Sequence, residues 1–368
     1  MAAPGDAPPL NASPSRHPQA EPAVINLSLA PTASLLADAL ESALFAPVEV
    51  AQVQRLTAGA TKQTWRVSAT VGGAARQFIL QTLPPRLQAT VDTPARTLTP
   101  EQDSKITQLA HLHGVPVPGL VLKLEPWHGL GHGQITVYVA GETLAPKILR
   151  EARFEMARQR LTQQSAMALA AIHKIPASQA AFLPTQDAHQ QWRNLRAQVD
   201  ASGLRHAALE WGLRWVQERL DAYAGQVPTP VHGDFRLGNL IVNDEGLAAV
   251  IDWELAHRGD PMQDLAWLCL RTWRFGGRPP VGGFGQREDL YADYEQFSGK
   301  PVDTRRIFFW EMACQVRWAV MCLGIGQGVP GAPAPGVSLE HRLIGRRMEE
   351  PLWDMVQMVK AAQRQGDT

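Results

Sequence analysis

The stretch VHGDFRLGNLIVNDEGLAAVIDWE, residues 231–254, decides how the rest of the chain is read. Asp234 and Asp252 each sit beside an apolar run, and Asn239 lies between them. Polar groups set among so many Leu, Ile and Val need partners, because burying them alone is costly. Asn239 follows Asp234 by five residues, and Asp252 follows Asn239 by thirteen. NLIV (239–242) and AAVID (248–252) read as short strands, with NDEG (243–246) as the hairpin turn between them. The strands aim the three polar groups into one place.

An aspartate, an asparagine five residues on and a second aspartate after a short hairpin is the layout of a kinase catalytic loop and its metal-binding aspartate. In that layout Asp234 accepts the proton of an attacking hydroxyl, while Asn239 and Asp252 are oxygen ligands for Mg²⁺ on ATP. Mg²⁺ favours hard oxygen donors and keeps several waters, so few protein ligands suffice. A lone His-x-Asp is more often a hydrogen-bonded turn; the full set is far more specific. A metal-dependent hydrolase built on His232 and Asp234 is the weaker reading, because no His/Asp/Glu cluster completes a first shell.

The bulk numbers agree with an ordinary globular chain. Its 368 residues suffice for two lobes, and 45% are hydrophobic. Its 35 basic and 35 acidic residues cancel, which gives no electrostatic case for nucleic acid or an anionic membrane as partner. The three cysteines, Cys269, Cys314 and Cys322, make neither a zinc spacing nor a disulfide framework and suggest a reducing compartment. Residues 1–30 include a Pro/Ala/Ser-rich start without a secretory h-region and read as a disordered tail. No apolar run approaches the ~20 residues of a membrane span. A cytoplasmic location is expected.

Residues 31–140 read as a small lobe. A helix over 32–44 leads to strands at 48–56, 64–71 and 76–83, a meander of hairpins. A helix near 100–112 and strands near 119–124 and 134–140 complete it. Residues 141–368 read as mainly helical, with helices at 151–174, 189–223, 261–273, 286–297, 303–326 and 339–364. A Gly/Pro-rich loop is expected at 327–338. The whole is α+β, with a cleft between unequal lobes where ligands sit.

VHGDFRLGNLIVNDEGLAAVIDWELAHRGDPMQDLAW resembles the aminoglycoside phosphotransferase/choline kinase-like family. The similarity extends over roughly residues 45–360, with RLTAGATKQTW, HGVPVP, YVAGE and LAAIH as further pieces. TWRFGG, VGGFGQREDLYADYE, FFWEMACQVRW and IGRRMEE look like the subgroup similar to kinase-like domains of acyl-CoA dehydrogenase-associated proteins. The resemblance implies a bilobal protein kinase-like fold with a nucleotide-binding first lobe. It makes Asp234 the catalytic base and Asn239 and Asp252 the Mg²⁺ ligands. His232 then holds the loop by packing and hydrogen bonding, and Arg236 steadies it or, as the weaker reading, faces a phosphate. Asp260 and Asp264 brace helices.

On the nucleotide side, the resemblance implies that Ala58, Gly59, Ala60, Thr61 and Lys62 form the turn over the phosphates, where small residues let backbone N–H groups approach oxygen; taken alone the stretch reads as an ordinary hairpin turn. Backbone groups of Val137, Tyr138 and Val139 are placed to meet adenine. Relatives carry Lys or Arg on the third strand, where this chain has Gln81; Lys62 is then the alternative source of charge. Gln81 also motivates a second reading, a nucleotide-binding module with little catalysis. For the acceptor, Arg271, Trp273 and Arg274 suit an anionic or neutral hydroxylated metabolite better than an aminoglycoside, since Arg matches carboxylate or phosphate. A hydroxy acid or hydroxyacyl thioester fits the subgroup resemblance.

Overall fold

A computed structural model describes residues 31–56, 62–83, 98–327 and 339–365. The expected tail (1–30), Ala58, Gly59, Ala60 and Thr61 of the phosphate turn, and nearly all of the Gly/Pro-rich stretch lie outside the described residues. The first helix, α1 (Ala33–Leu44), is capped by Thr32, whose hydroxyl accepts from the Leu35 N–H, and ends at Phe45 in the left-handed region. Its buried side, Leu36, Ala39 and Leu40, rests on a sheet of β1 (Val48–Leu56), β2 (Gln63–Val71) and β3 (Ala74–Thr82) with β4 (Leu120–Lys123) and β5 (Gly133–Val137). The order is β1-β2-β3-β5-β4, antiparallel throughout.

Period-two alternation sets the two faces of this sheet. Trp65, Val67, Ala69 and Val71 of β2 are buried in the core with α1, as are Phe78 and Leu80 of β3. Burying each of the Val, Leu and Phe side chains among them contributes roughly 1.5–3 kcal/mol. The alternate positions, Thr64 and Arg66 opposite Gln81 and Ile79, lie on the other face. Helix α2 (Pro100–Leu112) starts with a capping box between Thr99 and Gln102 and carries the buried Asp103.

One linker joins the sheet to the helical lobe. Glu142 and Val242 exchange both backbone hydrogen bonds, at 2.8 and 2.9 Å. The approach is so close that a Cβ on Gly141 would stand 2.6 Å from the Ile241 side chain and 2.8 Å from the Val242 carbonyl. Only glycine fits there.

Helices α3 (Ala145–Arg150) and α4 (Glu155–Lys174) follow. Two small hairpins then carry the motif stretch. β6 (Thr229–Val231) pairs with β9 (His257–Gly259), and β7 (Leu240–Asn243) pairs with β8 (Gly246–Val250) through the expected turn. In that turn the Asn243 side chain accepts the N–H groups of Glu245 and Gly246.

Three expected helices differ from the structure. The single helix at 189–223 is three: α5 (Ala188–Ser202), α6 (Ala207–Gln217) and α7 (Leu220–Tyr223). Gly203 in the left-handed region stops the first of them. Helix α8 (Met262–Cys269) ends early, and Arg271–Arg274 form a 3₁₀ turn closed by Phe275 at φ 48°. After α9 (Arg287–Ser298) and the long α10 (Thr304–Gln327), the last helix breaks into α11 (Leu339–Arg346) and α12 (Glu349–Gln365). Cys269, Cys314 and Cys322 are free and buried. Among the described residues no helix is long and apolar enough to cross a membrane.

Candidate active site

The His232–Asp234 loop leaves β6 and is held by one carboxylate. The N–H groups of His232 and Gly233 donate to Asp264 Oδ2 and Oδ1, at 2.7 and 2.8 Å. The same carboxylate lies 3.2 Å from His173 Nε2, and His173 Nδ1 lies 2.8 Å from the Tyr294 hydroxyl. Asp264 thus braces a loop from the first turn of α8. Gly233 sits at φ 79°, where a Cβ would meet the Leu255 carbonyl at 2.4 Å. His232 Nδ1 accepts the Asp234 N–H at 3.2 Å, so its Nε2 carries the proton and donates to the Ile251 carbonyl at 3.1 Å. The neutral ring therefore ties the loop to the segment bearing Asp252.

Burial pushes the His232 and His257 imidazoles below their ordinary pKa. Burial works against the charge of Asp264, but the hydrogen bonds it receives from the His173 side chain and the His232 backbone outweigh that and lower its pKa. Each of these groups has its folded pKa depressed, so each contributes stability above its unfolded pKa and loses it as pH falls. The melting temperature is expected to stay level just above about pH 6.5 and to fall below it, with a further loss below about pH 4. Thermal melts across pH 3 to 8 check this; a melting temperature that rises on going from about pH 6.5 to 5 contradicts it.

Asp234 is itself buried, and three side chains donate to its carboxylate, which leaves Oδ2 room for one more donor. Its Oδ1 accepts from Trp267 Nε1 at 2.8 Å and Arg236 Nε at 3.0 Å, and its Oδ2 from Asn239 Nδ2 at 2.6 Å. Asn239 also donates to the Asp234 carbonyl at 2.9 Å. With its amide hydrogens committed, the Asn239 side chain has an oxygen left to offer. Asn239 O accepts the Ile251 N–H at 2.9 Å, which sets Asp252 beside it in the chain path. Asp252 adopts φ 67°, ψ 64°, a left-handed conformation that costs a non-glycine residue about 1–2 kcal/mol. Its side chain stays 36% exposed.

The cation comes from the foot of β2. Lys62 Nζ lies 2.7 Å from Asp103 Oδ2, 3.6 Å from Asp252 Oδ1 and 3.9 Å from Glu254 Oε2. Burial disfavours its charge, but Asp103, Asp252 and Glu254 outweigh that and hold the ammonium above the usual lysine range. Lys62, Gln81, Asp103 and Glu254 line one recess. Gln81 is therefore near the cation without supplying charge. Of the linker groups, the Val137 N–H donates to Gly119 and the Tyr138 N–H to Gln77, so both are committed to the small lobe. Val139 N–H has no backbone partner among the described residues.

The acceptor candidates separate. Arg271 is exposed and pairs with Asp354 at 3.2 Å, and Arg274 donates to the Cys269 carbonyl at 3.1 Å. Neither bonds to Asp234 or to the groups that hold it. Trp273 does join the cluster, because the Arg236 guanidinium lies 4.6 Å over its ring. Trp267 and Asp264 escaped sequence reasoning as parts of this loop. The sole hint was their position in GDPMQDLAW, directly after the hairpin.

An antiparallel five-stranded lobe joined by one linker to a helical lobe, with this loop at the junction, is a protein kinase-like fold. Solved structures share it. A choline/ethanolamine kinase family protein from Mesorhizobium loti aligns at TM-score 0.57 and 17% identity, over 83% of this chain and 87% of its own. A macrolide 2′-phosphotransferase from Brachybacterium faecium aligns at TM-score 0.57 and 18% identity, over 85% and 97%. The GDP complex of aminoglycoside 2′-phosphotransferase-IIIa aligns at 0.56 and 17%, over 88% and 99%. The sequence model of the phosphotransferase enzyme family matches residues 52–299, and the chain belongs to that family. A segment of 112 residues, 30% of the chain, is 35% identical to mouse (Mus musculus) acyl-CoA dehydrogenase family member 10 and spans 10% of that protein.

Proposed function

We propose that the chain transfers the γ-phosphoryl group of ATP to a hydroxyl of a small metabolite. What carries this reading is the convergence of Asp234, Asn239, Asp252 and Lys62 at the junction of the two lobes. The acceptor oxygen attacks the γ-phosphorus, the bond to the β–γ bridging oxygen breaks, and ADP leaves. Asp234 orients the hydroxyl and takes its proton. Trp267 and Arg236 fix the carboxylate for that step. Lys62, tethered by Asp103, offsets phosphate charge in place of a cation on β3.

An amide oxygen of Asn239 and the exposed carboxylate of Asp252 are hard donors that fit Mg²⁺. Bound there, Mg²⁺ neutralises the charge of the transferring phosphoryl group. For adenine we assign the linker at Val139, with Tyr138 beside it. Ala58, Gly59, Ala60 and Thr61 remain our assignment for the phosphate turn. We place the reaction in the cytoplasm, where ATP and reduced thiols occur together.

For the acceptor we favour an anionic or neutral hydroxylated compound, a hydroxy acid or hydroxyacyl thioester. A polycation calls for carboxylates, whereas the side chains that bond to Asp234 are Arg236, Asn239 and Trp267, with Trp273 under the Arg236 guanidinium. ATP and GTP consumption across hydroxy acids, hydroxyacyl-CoA thioesters, sugars and aminoglycosides tests this. Turnover confined to aminoglycosides overturns the acceptor assignment, and no turnover with any acceptor overturns the transfer itself.

The source of the phosphate-side charge is testable separately. Lys62→Met is expected to weaken nucleotide binding about 10- to 100-fold, the value of a charged hydrogen bond. Gln81→Ala should weaken it by no more than about tenfold, as for a neutral one. Titration of nucleotide into both variants, with melting temperatures as a folding control, decides; greater loss in Gln81→Ala contradicts the assignment.

A further inference from the structure

The surroundings of Asp234 contain hydrogen-bond donors that nothing within the described residues satisfies. Trp267, which donates to Asp234, has Trp273 at 5.3 Å between ring centroids and the Arg317 guanidinium 4.7 Å from its ring. Trp273 packs in turn on Trp318 at 4.8 Å, with Arg236 over its face. Arg236 is neutralised by Asp234. Arg317 makes no ion pair among the described residues, and its Nη1 is buried without a hydrogen-bond partner. The Nε1 atoms of Trp273 and Trp318 are likewise buried and unpartnered, in side chains of residues only 4% and 8% exposed.

A buried donor left unpaired costs about 1–3 kcal/mol, and native proteins keep few of them. Guanidinium and indole N–H groups have no acceptor capacity, so only an acceptor-rich partner satisfies them. The unpaired charge of Arg317 makes that partner an anion, and a planar fork suits a carboxylate or phosphate. The apolar members of the same cluster, Leu270, Cys314 and Cys322, suit a hydrocarbon segment beside that anion.

Resting on the phosphotransferase reading above, we propose that Arg317, with the indole N–H groups of Trp273 and Trp318, receives an anionic oxygen group of the acceptor. The acceptor is then a short hydroxylated acid or phosphate ester, bound with its anion on Arg317 and its hydroxyl at Asp234. Arg317 is a specificity-determining residue, and Arg271, exposed and paired with Asp354, is not.

Calorimetric titration of the full chain without nucleotide tests this, using short hydroxy acids, their amides and glycerol 3-phosphate. At least one anion should bind, and the amides should bind about 10- to 100-fold more weakly. Arg317→Gln should bring the acid down to the level of its amide and leave the amide unchanged. Arg317→Lys, which keeps the charge, should restore part of the difference. Preference for glycerol 3-phosphate over every acid identifies the anion as phosphate. Equal binding of acid and amide, or unchanged acid binding in a folded Arg317→Gln protein, overturns the proposal. ATP consumption run in parallel separates the two readings. Arg317-dependent binding without ATP consumption by any acceptor removes the transfer reading and keeps the subsite. Turnover of neutral acceptors with no anion preference does the reverse.

Discussion

Asp234→Asn is expected to lower turnover by about 10²–10⁴-fold, the usual contribution of a general base. The effect follows from charge, since an amide of the same shape cannot take a proton from the attacking hydroxyl. The carboxylate accepts from Trp267, Arg236 and Asn239, and all three point donors at it. The amide variant keeps an oxygen for some of these donors but opposes its own N–H groups to others. A modest fall in melting temperature should accompany the loss of turnover. Nucleotide binding should survive, because Lys62 and Asp252 are untouched. Turnover of ATP with the best acceptor, beside a nucleotide titration, checks it. Near-normal turnover removes Asp234 from the proton-accepting role.

Asp252→Ala should weaken Mg²⁺-dependent nucleotide binding by at least about 10²-fold, since even groups one shell beyond a metal cost 10- to 100-fold. Lys62 keeps its 2.7 Å contact with Asp103, so metal-free nucleotide binding should change little. A second variant separates metal holding from folding. Asp252 stands at φ 67°, a conformation that costs a non-glycine residue about 1–2 kcal/mol. Asp252→Gly relieves that strain and should leave the melting temperature level or raise it, while Mg²⁺ dependence is still lost. Such strain persists where function requires the geometry. Unchanged Mg²⁺-dependent binding in both variants would falsify the metal assignment.

The arrangement of the candidate site was largely legible because its information is local. Asp234, Asn239 and Asp252 lie on one loop and one hairpin, and the alternation of NLIV and AAVID sets their relation without distant contacts. The small lobe was legible for the same reason: its strands alternate apolar and polar residues between clear turns. The helical boundaries were less so. The amphipathic pattern over 189–223 runs on across Gly203, and only the packing of α5 and α6 shows that the chain turns there. The pattern through Arg347 and Met348 hides a break in the same way.

Residue by residue, the chain alone determined the family, the antiparallel lobe and the grouping of Asp234, Asn239 and Asp252 around one hairpin, since each is written in spacings of a few residues. Tertiary structure decided the rest. Lys62 finds Asp103 on α2, Asp264 reaches back to His173 and the His232–Gly233 backbone, and Arg317 comes to lie over Trp267 from α10. These pairings join residues dozens of positions apart. Their meaning depends on burial, because low local dielectric makes a paired charge strong and an unpaired donor costly. No spacing in the sequence records which side chains that burial brings together.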